Sequence, residues 1–465
     1  MRKITFIFFL VSQLCISQKT GTVTHNSTSI SIEHLLQKYI QIPSISGSEK
    51  LAGDFIKAVC KENGLFISEF GTENGNFNFA ASVYPLTSKK PNIVFLNHID
   101  VVPEITTDQL KPYSGKISDG KIYGRGAIDN KGVGLMQLFS VIEFLNSNNK
   151  SGSPYNVTYL AVSCEETQCN GGVSYVIENH LTALNPCVVI GEGPSELTAI
   201  IGGKFKNPLF GISVAHKRSF WLNLELEMKT SAHGSITPIE YANKEMVKAL
   251  NKLTKKKNKI IFNDLNISML KSFGSHKKGL EKLVLKHPRL FRPIVVSQLR
   301  KQPELASLFT NTITLTNIYT NNNTYNTIPS KINAYLDCRL LPETDNNTFL
   351  ALVKKRLNND NIKITIVENM LETIPSSTKT IYYKNLSEAI ISYYPDATTL
   401  PMMLPNINDL GVFRAKNIPS YGSMPVNFTR EEVERIHNKN ESISIPLLYD
   451  GVLVYLDFIN RMQKD

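Results

Sequence analysis

The chain lacks several features that would settle its class at once. No internal repeat runs along it, so solenoid and propeller architectures are out. Beyond the first residues no stretch holds the roughly 20 uninterrupted apolar residues of a membrane-spanning helix. Cysteine is scarce, with 6 in 465 residues, which is too few for a disulfide-built scaffold. Strong compositional bias is absent too. Hydrophobic residues make up 42% and charged residues 20%, which excludes fibrous and wholly disordered chains. The one surplus is positive charge, +11 at neutral pH. Such a surplus suits nucleic acid, an anionic membrane or an acidic substrate, and composition does not choose among them.

What is present begins with an export-type start. Arg2 and Lys3 precede an apolar run, Ile4 to Ile16, broken only by Ser12 and Gln13, and Cys15-Ile16-Ser17 offers a cleavage site before Gln18. Residues 1–17 are therefore expected to be a signal peptide. A retained anchor is the rival, and Leu14 is bulkier than a lipoprotein site before Cys15 would want. Residues 18–30, rich in Ser and Thr, are expected to be a flexible leader. The five remaining cysteines, Cys60, Cys164, Cys169, Cys187 and Cys338, read as buried small residues, with one bridge left open after export.

Further on, short apolar runs alternate with helical segments. Asn92–Asn97, Val157–Ser163 and Cys187–Ile190 read as buried strands, and Lys131–Asn146 and Gly171–His180 as helices. This pattern predicts an α/β fold, a sheet covered by helices on both faces. Between 209 and 365 the pattern changes. Ser219–Met228 alternates apolar and polar residues, and Thr312–Tyr319 and Lys331–Arg339 are also strand-like. Segments near 235–254 and 346–358 read as helices, and 255–310 is a Lys-rich helical insertion. From 366 the α/β pattern resumes and closes with a helix over Leu447–Met462. The expected organisation is a first catalytic part (31–208), an inserted α+β domain (209–365) and a second catalytic part (366–465).

Five stations carry metal-type ligands. His98-Ile99-Asp100 follows a strand. Residues two apart in an extended stretch share a side, so Asp100 is placed to orient His98. Gly124-Arg125-Gly126-Ala127-Ile128-Asp129 has glycines for close approach, and Asp129 opens a helix. Glu165-Glu166 follows Ser163. Adjacent carboxylates at a strand end point apart, so one can hold a metal while the other handles a proton. Gly191-Glu192-Gly193 follows another strand, and His437 lies near the C-terminus. Taken singly, each reads more simply as a structural pair, a solvated face or a cap. Four of them, however, follow strand ends, where open α/β sheets bind ligands. Two imidazoles with several carboxylates suit zinc with open positions.

These stations, in identity, order and spacing, resemble the dinuclear zinc amidohydrolase family of aminoacylase, carboxypeptidase G, succinyl-diaminopimelate desuccinylase and carboxypeptidase S. The likeness covers about 33–460. The stretch Ile122 to Lys131, the long insertion and the Thr312–Thr316 strand are most similar to the carboxypeptidase S group and related N-acyl amino acid hydrolases. The resemblance implies a mixed-sheet catalytic domain interrupted by a lid or dimerisation domain. It also implies two zinc ions, with cobalt or manganese able to replace one. Asp129 would bridge them, with a cis peptide bond to Asn130. His98 and Glu192 would complete one site, and Glu166 and His437 the other. Glu165 would be general base and acid, and Asp100 the partner of His98. In Ser231-Ala232-His233-Gly234, His233 would help hold the oxyanion, a group that in the family often reaches in from a partner subunit. Asn326 and Arg339 would bind substrate, Arg339 through a planar fork suited to a carboxylate.

Three places depart from the family pattern. Cys164 stands where an acidic residue is usual. Thr167-Gln168-Cys169-Asn170 displaces glycines after the Glu pair, and Lys217-Arg218 replaces a Lys-Gly. They bear on substrate range more than on activity. The implied reaction is hydrolysis of amide bonds in peptides or N-acyl amino acids by an exported enzyme, periplasmic or secreted, with a homodimer through the inserted domain. Two alternatives stay open: a zinc aminopeptidase, and a non-catalytic binding protein on the same scaffold. A nucleic-acid partner is not expected, because Lys255–Lys257 and His276–Lys278 lack interleaved aromatics.

Overall fold

The computed structural model describes residues 21–71, 76–104, 111–147, 150–198, 207–229, 233–320 and 324–464. The expected signal peptide lies outside them. The chain divides into two compact units. The first holds the described residues up to Val214, then Ser376–Leu400 and Asn408 onward. The second holds Ala215–Pro375 and Pro401–Ile407. The second unit thus runs ten residues past the expected boundary at 365 and takes in a short later segment.

The first unit is built on an eight-stranded mixed sheet. Its order is Thr398–Leu404, Leu209–His216, Ser420–Gly422, Pro186–Gly191, Asn92–His98, Asn156–Val162, Phe79–Ser82 and Phe66–Glu69. Strands Ser420–Gly422, Pro186–Gly191, Asn92–His98 and Asn156–Val162 are parallel neighbours. Asn92–His98 and Asn156–Val162 are buried at every position, which is why their sequences run apolar without alternation. Register pairs His98 with Val162 and Phe95 with Ile190. The chain therefore leaves three adjacent strands at one edge, next to His98, Glu165-Glu166 and Glu192. The helix Lys131–Asn146 is buried nearly all round, so its composition is apolar rather than amphipathic.

The expected flexible leader is not what the structure shows over its described part. Thr22–His25 and Thr28–Ser31 form an antiparallel hairpin. Its alternation buries Val23 and His25, and the His25 ring meets Phe55 edge-on at 5.0 Å between centroids. Ser and Thr made this segment resemble a linker, but its period of two is that of a strand.

The second unit carries a four-stranded antiparallel sheet in the order Thr312–Tyr319, Lys331–Leu340, Arg218–Glu227, Lys363–Asn369. One face packs Phe220, Leu222, Leu224, Ala334, Leu336 and Cys338 against Met246 and Leu250 of helix Ala242–Lys255 and Phe349 and Val353 of helix Asn346–Leu357. The other face is open, with Trp221 41% exposed. The Lys-rich segment forms helices Asp264–Ser275, Gly279–Lys286, Arg292–Leu299 and Pro303–Ser307. No helix among the described residues is long and apolar enough to cross a membrane.

Candidate metal centre

His98 ends its strand with its ring buried. Its Nδ1 lies 2.9 Å from the backbone carbonyl of Asp100. A carbonyl only accepts, so Nδ1 is the donor, and Nε2 is the nitrogen that a neutral ring would offer to a metal. That Nε2 lies 3.0 Å from Asp129 Oδ1 and 3.5 Å from Glu192 Oε2. On the other side of Asp129, Oδ2 is 2.9 Å from His437 Nε2, which lies 3.2 Å from Glu166 Oε1. Two clusters result, His98 with Asp129 and Glu192, and Asp129 with Glu166 and His437. In each, the candidate ligand atoms lie within 4.8 Å of one another, and Asp129 belongs to both. The Asp129–Asn130 peptide bond is cis.

Asp100 does more than orient His98, and does that differently from expectation. Its carbonyl is the close partner of the ring, while its carboxylate Oδ1 is 3.4 Å away. The carboxylate is instead given to the next loop. Oδ1 accepts from the Glu165 amide at 3.1 Å, and Oδ2 accepts from the Glu166 amide at 3.0 Å and Ser46 Oγ at 2.6 Å. One buried side chain thus fixes where both glutamates begin.

The loop that presents Asp129 rests on Glu441. Glu441 Oε1 accepts from the amides of Ile128 at 2.9 Å and Asp129 at 3.2 Å. Its Oε2 accepts from Gly126 N at 3.2 Å and Arg125 Nη1 at 3.0 Å. Gly126 sits at φ +84°, where glycine is favoured. A Cβ on Gly193 would lie 2.2 Å from the Gly422 carbonyl carbon, so close backbone packing holds the turn carrying Glu192. Asn408 Nδ2 donates to the Glu192 carbonyl at 3.3 Å. Buried Asp409 lines a small cavity with His98, Glu165 and Glu192.

Electrostatics show what the site needs. Burial, then the charge of Glu192, pushes the Glu165 carboxyl well above its usual range. Burial and Asp129 raise Glu192 in the same way, and burial lifts Asp409 to about 8. Burial opposes a charged His98, yet Asp100, Asp129 and Glu192 together hold its pKa well above normal. Hydrogen bonds that its ring donates to Asp129 and Glu166 raise His437 to about 10. The polypeptide alone thus stores protons to offset crowded carboxylates. Bound cations would take over that compensation and leave the imidazoles neutral as ligands. A set of two imidazoles and three carboxylates fits divalent metals of the zinc type.

The remaining expected site residues lie in the second unit. His233 forms an isolated bridge with Thr327, and the Gly234 amide donates to the Asn326 carbonyl at 2.7 Å, so the two motifs are neighbours there. Arg339 is not a free fork. Its Nε and Nη2 donate to Asp337 Oδ1 and Oδ2 at 2.8 and 3.2 Å, and Trp221 Nε1 donates to the same Asp337 Oδ1 at 3.1 Å. Of the cysteines, the one bridge left open by the sequence is present. Cys164 and Cys169 form a disulfide with a Cα separation of 5.7 Å, while Cys60, Cys187 and Cys338 are free. A spacing of five residues without a second close pair gave no sign of this bond. Sequence reasoning also missed Arg125, Asp409 and Glu441 as parts of the site. Arg125 lies inside a motif already noticed and Glu441 four residues after His437, but burial of a charge is invisible in a single sequence.

A mixed α/β sheet with paired metal-ligand clusters at one strand edge defines a metal-dependent hydrolase. Residues 94–461 match peptidase family M20/M25/M40. The chain belongs to that family and is an enzyme of the metallopeptidase and amidohydrolase type. Among curated relatives it is 24% identical to the human N-fatty-acyl-amino acid synthase/hydrolase PM20D1 over 452 residues, covering 94% of this chain and 88% of that protein. It is 26% identical to probable carboxypeptidase S-like 2 of Dictyostelium discoideum, covering 81% and 72%. Among solved structures it is similar to the M20 family metallo-carboxypeptidase Sso-CP2 of Sulfolobus solfataricus. That likeness has a TM-score of 0.69 and 21% identity, with 93% and 99% of the two chains covered, and it bears on the fold.

Proposed function

We propose that this enzyme is a two-zinc hydrolase that cleaves the amide bond of N-acyl amino acids or small peptides. The observation that carries the reading is the shared carboxylate, Asp129, standing between two imidazole-carboxylate clusters with Glu165 beside them. His98, Asp129 and Glu192 would hold one ion, and Asp129, Glu166 and His437 the other. When bound there, zinc supplies Lewis acidity and a lowered water pKa. The protein supplies the rest. Glu165 takes the proton of the attacking water and returns it to the leaving amine. Asp100 sets its position through the amide of residue 165. His233 is assigned to the oxyanion and Asn326 and Arg339 to substrate binding through their motifs. The human relative's name supports N-acyl amino acids as substrates, and the Dictyostelium relative supports carboxypeptidase action.

The export-type start supports a periplasmic or secreted enzyme. The open sheet face of the second unit, with Trp221 exposed, supports a homodimer. Light scattering of the purified protein and mass analysis of its mature N-terminus test these two points.

The test of activity is a panel of N-acyl amino acids and dipeptides incubated with the zinc-loaded protein and read by release of free amino acid. Turnover of N-blocked substrates with a free terminal carboxylate is expected. Turnover confined to peptides with a free amino terminus would favour an aminopeptidase and contradict the proposal.

A further inference from the structure

Resting on the hydrolytic reading of the site, we propose that the Cys164–Cys169 disulfide positions the proton-handling Glu165, so that reducing this bond slows hydrolysis while leaving the fold and the metals in place.

The bond closes a loop whose second and third residues are Glu165 and Glu166. Asp100 grips the first half of this loop through the amides of Glu165 and Glu166. The second half reaches Glu165 by another route. Gln168 donates from Nε2 to the Glu165 carbonyl at 2.7 Å and to the Glu165 carboxylate Oε1 at 3.2 Å. Gln168 is exposed and directly precedes Cys169. Cys164 and Gln168 both lie in the left-handed region, at φ +51° and +52°, which residues with a side chain seldom adopt. Backbone hydrogen bonds across the loop run from Gln168 N to Glu165 O at 3.0 Å and from Cys169 N to Cys164 O at 3.3 Å. Cys169 Sγ is seated by the Gly171 amide at 3.3 Å. The covalent tie thus holds an otherwise exposed turn in an uncommon backbone conformation, and through Gln168 it aims the carboxylate that moves the proton.

Cys164 is buried and Cys169 is partly exposed, so a reductant meets the bond from the Cys169 side. With a water-soluble phosphine the S–S bond breaks and two thiols form. Water provides both protons, and its oxygen leaves on the phosphine oxide, which accounts for the two electrons.

The experiment compares zinc-loaded protein before and after phosphine treatment, desalting and zinc restoration, with the thiols mapped by alkylation and mass spectrometry. Misplacing a reacting group by 1 Å can cost on the order of 100-fold, so kcat is expected to fall about tenfold or more, with KM within about twofold. Bound zinc and Tm are expected to hold, hydrogen exchange to quicken over 164–172 alone, and reoxidation to restore kcat. The Cys164→Ala/Cys169→Ala variant should match the reduced enzyme and ignore the phosphine. Free thiols at both positions with unchanged kcat would overturn the proposal. So would thiols at both positions before treatment, or a joint collapse of Tm, zinc content and kcat, which marks a merely structural bond. If neither form hydrolyses any substrate, the hydrolytic reading fails on its own. Unchanged exchange over 164–172 would then overturn the positioning role as well.

Discussion

The strand-end edge of the first unit and the open sheet face of the second spend their polar groups in opposite ways. At the edge, nearly every charged group is held by a group from another segment. Asp100 grips the Glu165-Glu166 loop and Glu441 grips the Asp129 loop, while the candidate ligands point at one another. On the open face Arg339 turns to Asp337, two residues along its own strand, and stays partly exposed. The first arrangement is braced from several segments and, on the proposed reading, is completed by cations. The second is locally satisfied and can exchange its partner. Under the proposed roles, recognition and chemistry are supported differently, and substitutions in the two regions should fail differently.

The largest effect belongs to the edge. Glu165→Ala should lower kcat by about 100- to 10,000-fold, the usual worth of a positioned acid-base group, while zinc content stays that of the wild type. Zinc analysis beside steady-state kinetics checks this, and loss of zinc would make Glu165 a ligand instead. The next effect belongs to the open face. Arg339→Ala should remove a charge-assisted bond worth about 1.5–3 kcal/mol, raising KM about tenfold or more with kcat little changed. Asp337→Asn should free the fork and lower KM. Equal loss of Tm in both variants with KM unmoved would make the pair structural and break the contrast.

Glu441→Ala should destabilise the first unit by about 1–3 kcal/mol through orphaned buried amides, read as a lower Tm and weaker zinc binding. A purely pH-dependent effect concerns Lys217, whose amine is pulled down to about 7 by burial and then by Arg339. Between that value and its unfolded value near about 10.4, the unfolded chain carries the proton and the folded chain does not, so stability rises with pH across this window. Lys217→Met should flatten that rise, as seen in Tm recorded from pH 7 to 10.

The edge was also the more legible region. His98, Glu166 and Glu192 follow buried strands whose apolar runs are plain in the sequence, and parallel register then forces them together. Asp129 and His437 were legible through motif order, because their loops are placed by Glu441, a buried anchor that no local pattern reveals. The Cys164–Cys169 bond and the Asp337–Arg339 pair depend on side-chain distances, which spacing alone does not fix. The hairpin at Thr22–Ser31 was hidden by composition, since Thr and Ser serve strands and linkers alike.

The shared carboxylate is the centre of this account, and counting metal tests it most directly. Elemental analysis of zinc-loaded, desalted protein should find two ions per wild-type chain, one after His437→Ala, and essentially none after Asp129→Ala, all in folded protein. One ion in the wild type, or two retained without Asp129, would contradict it.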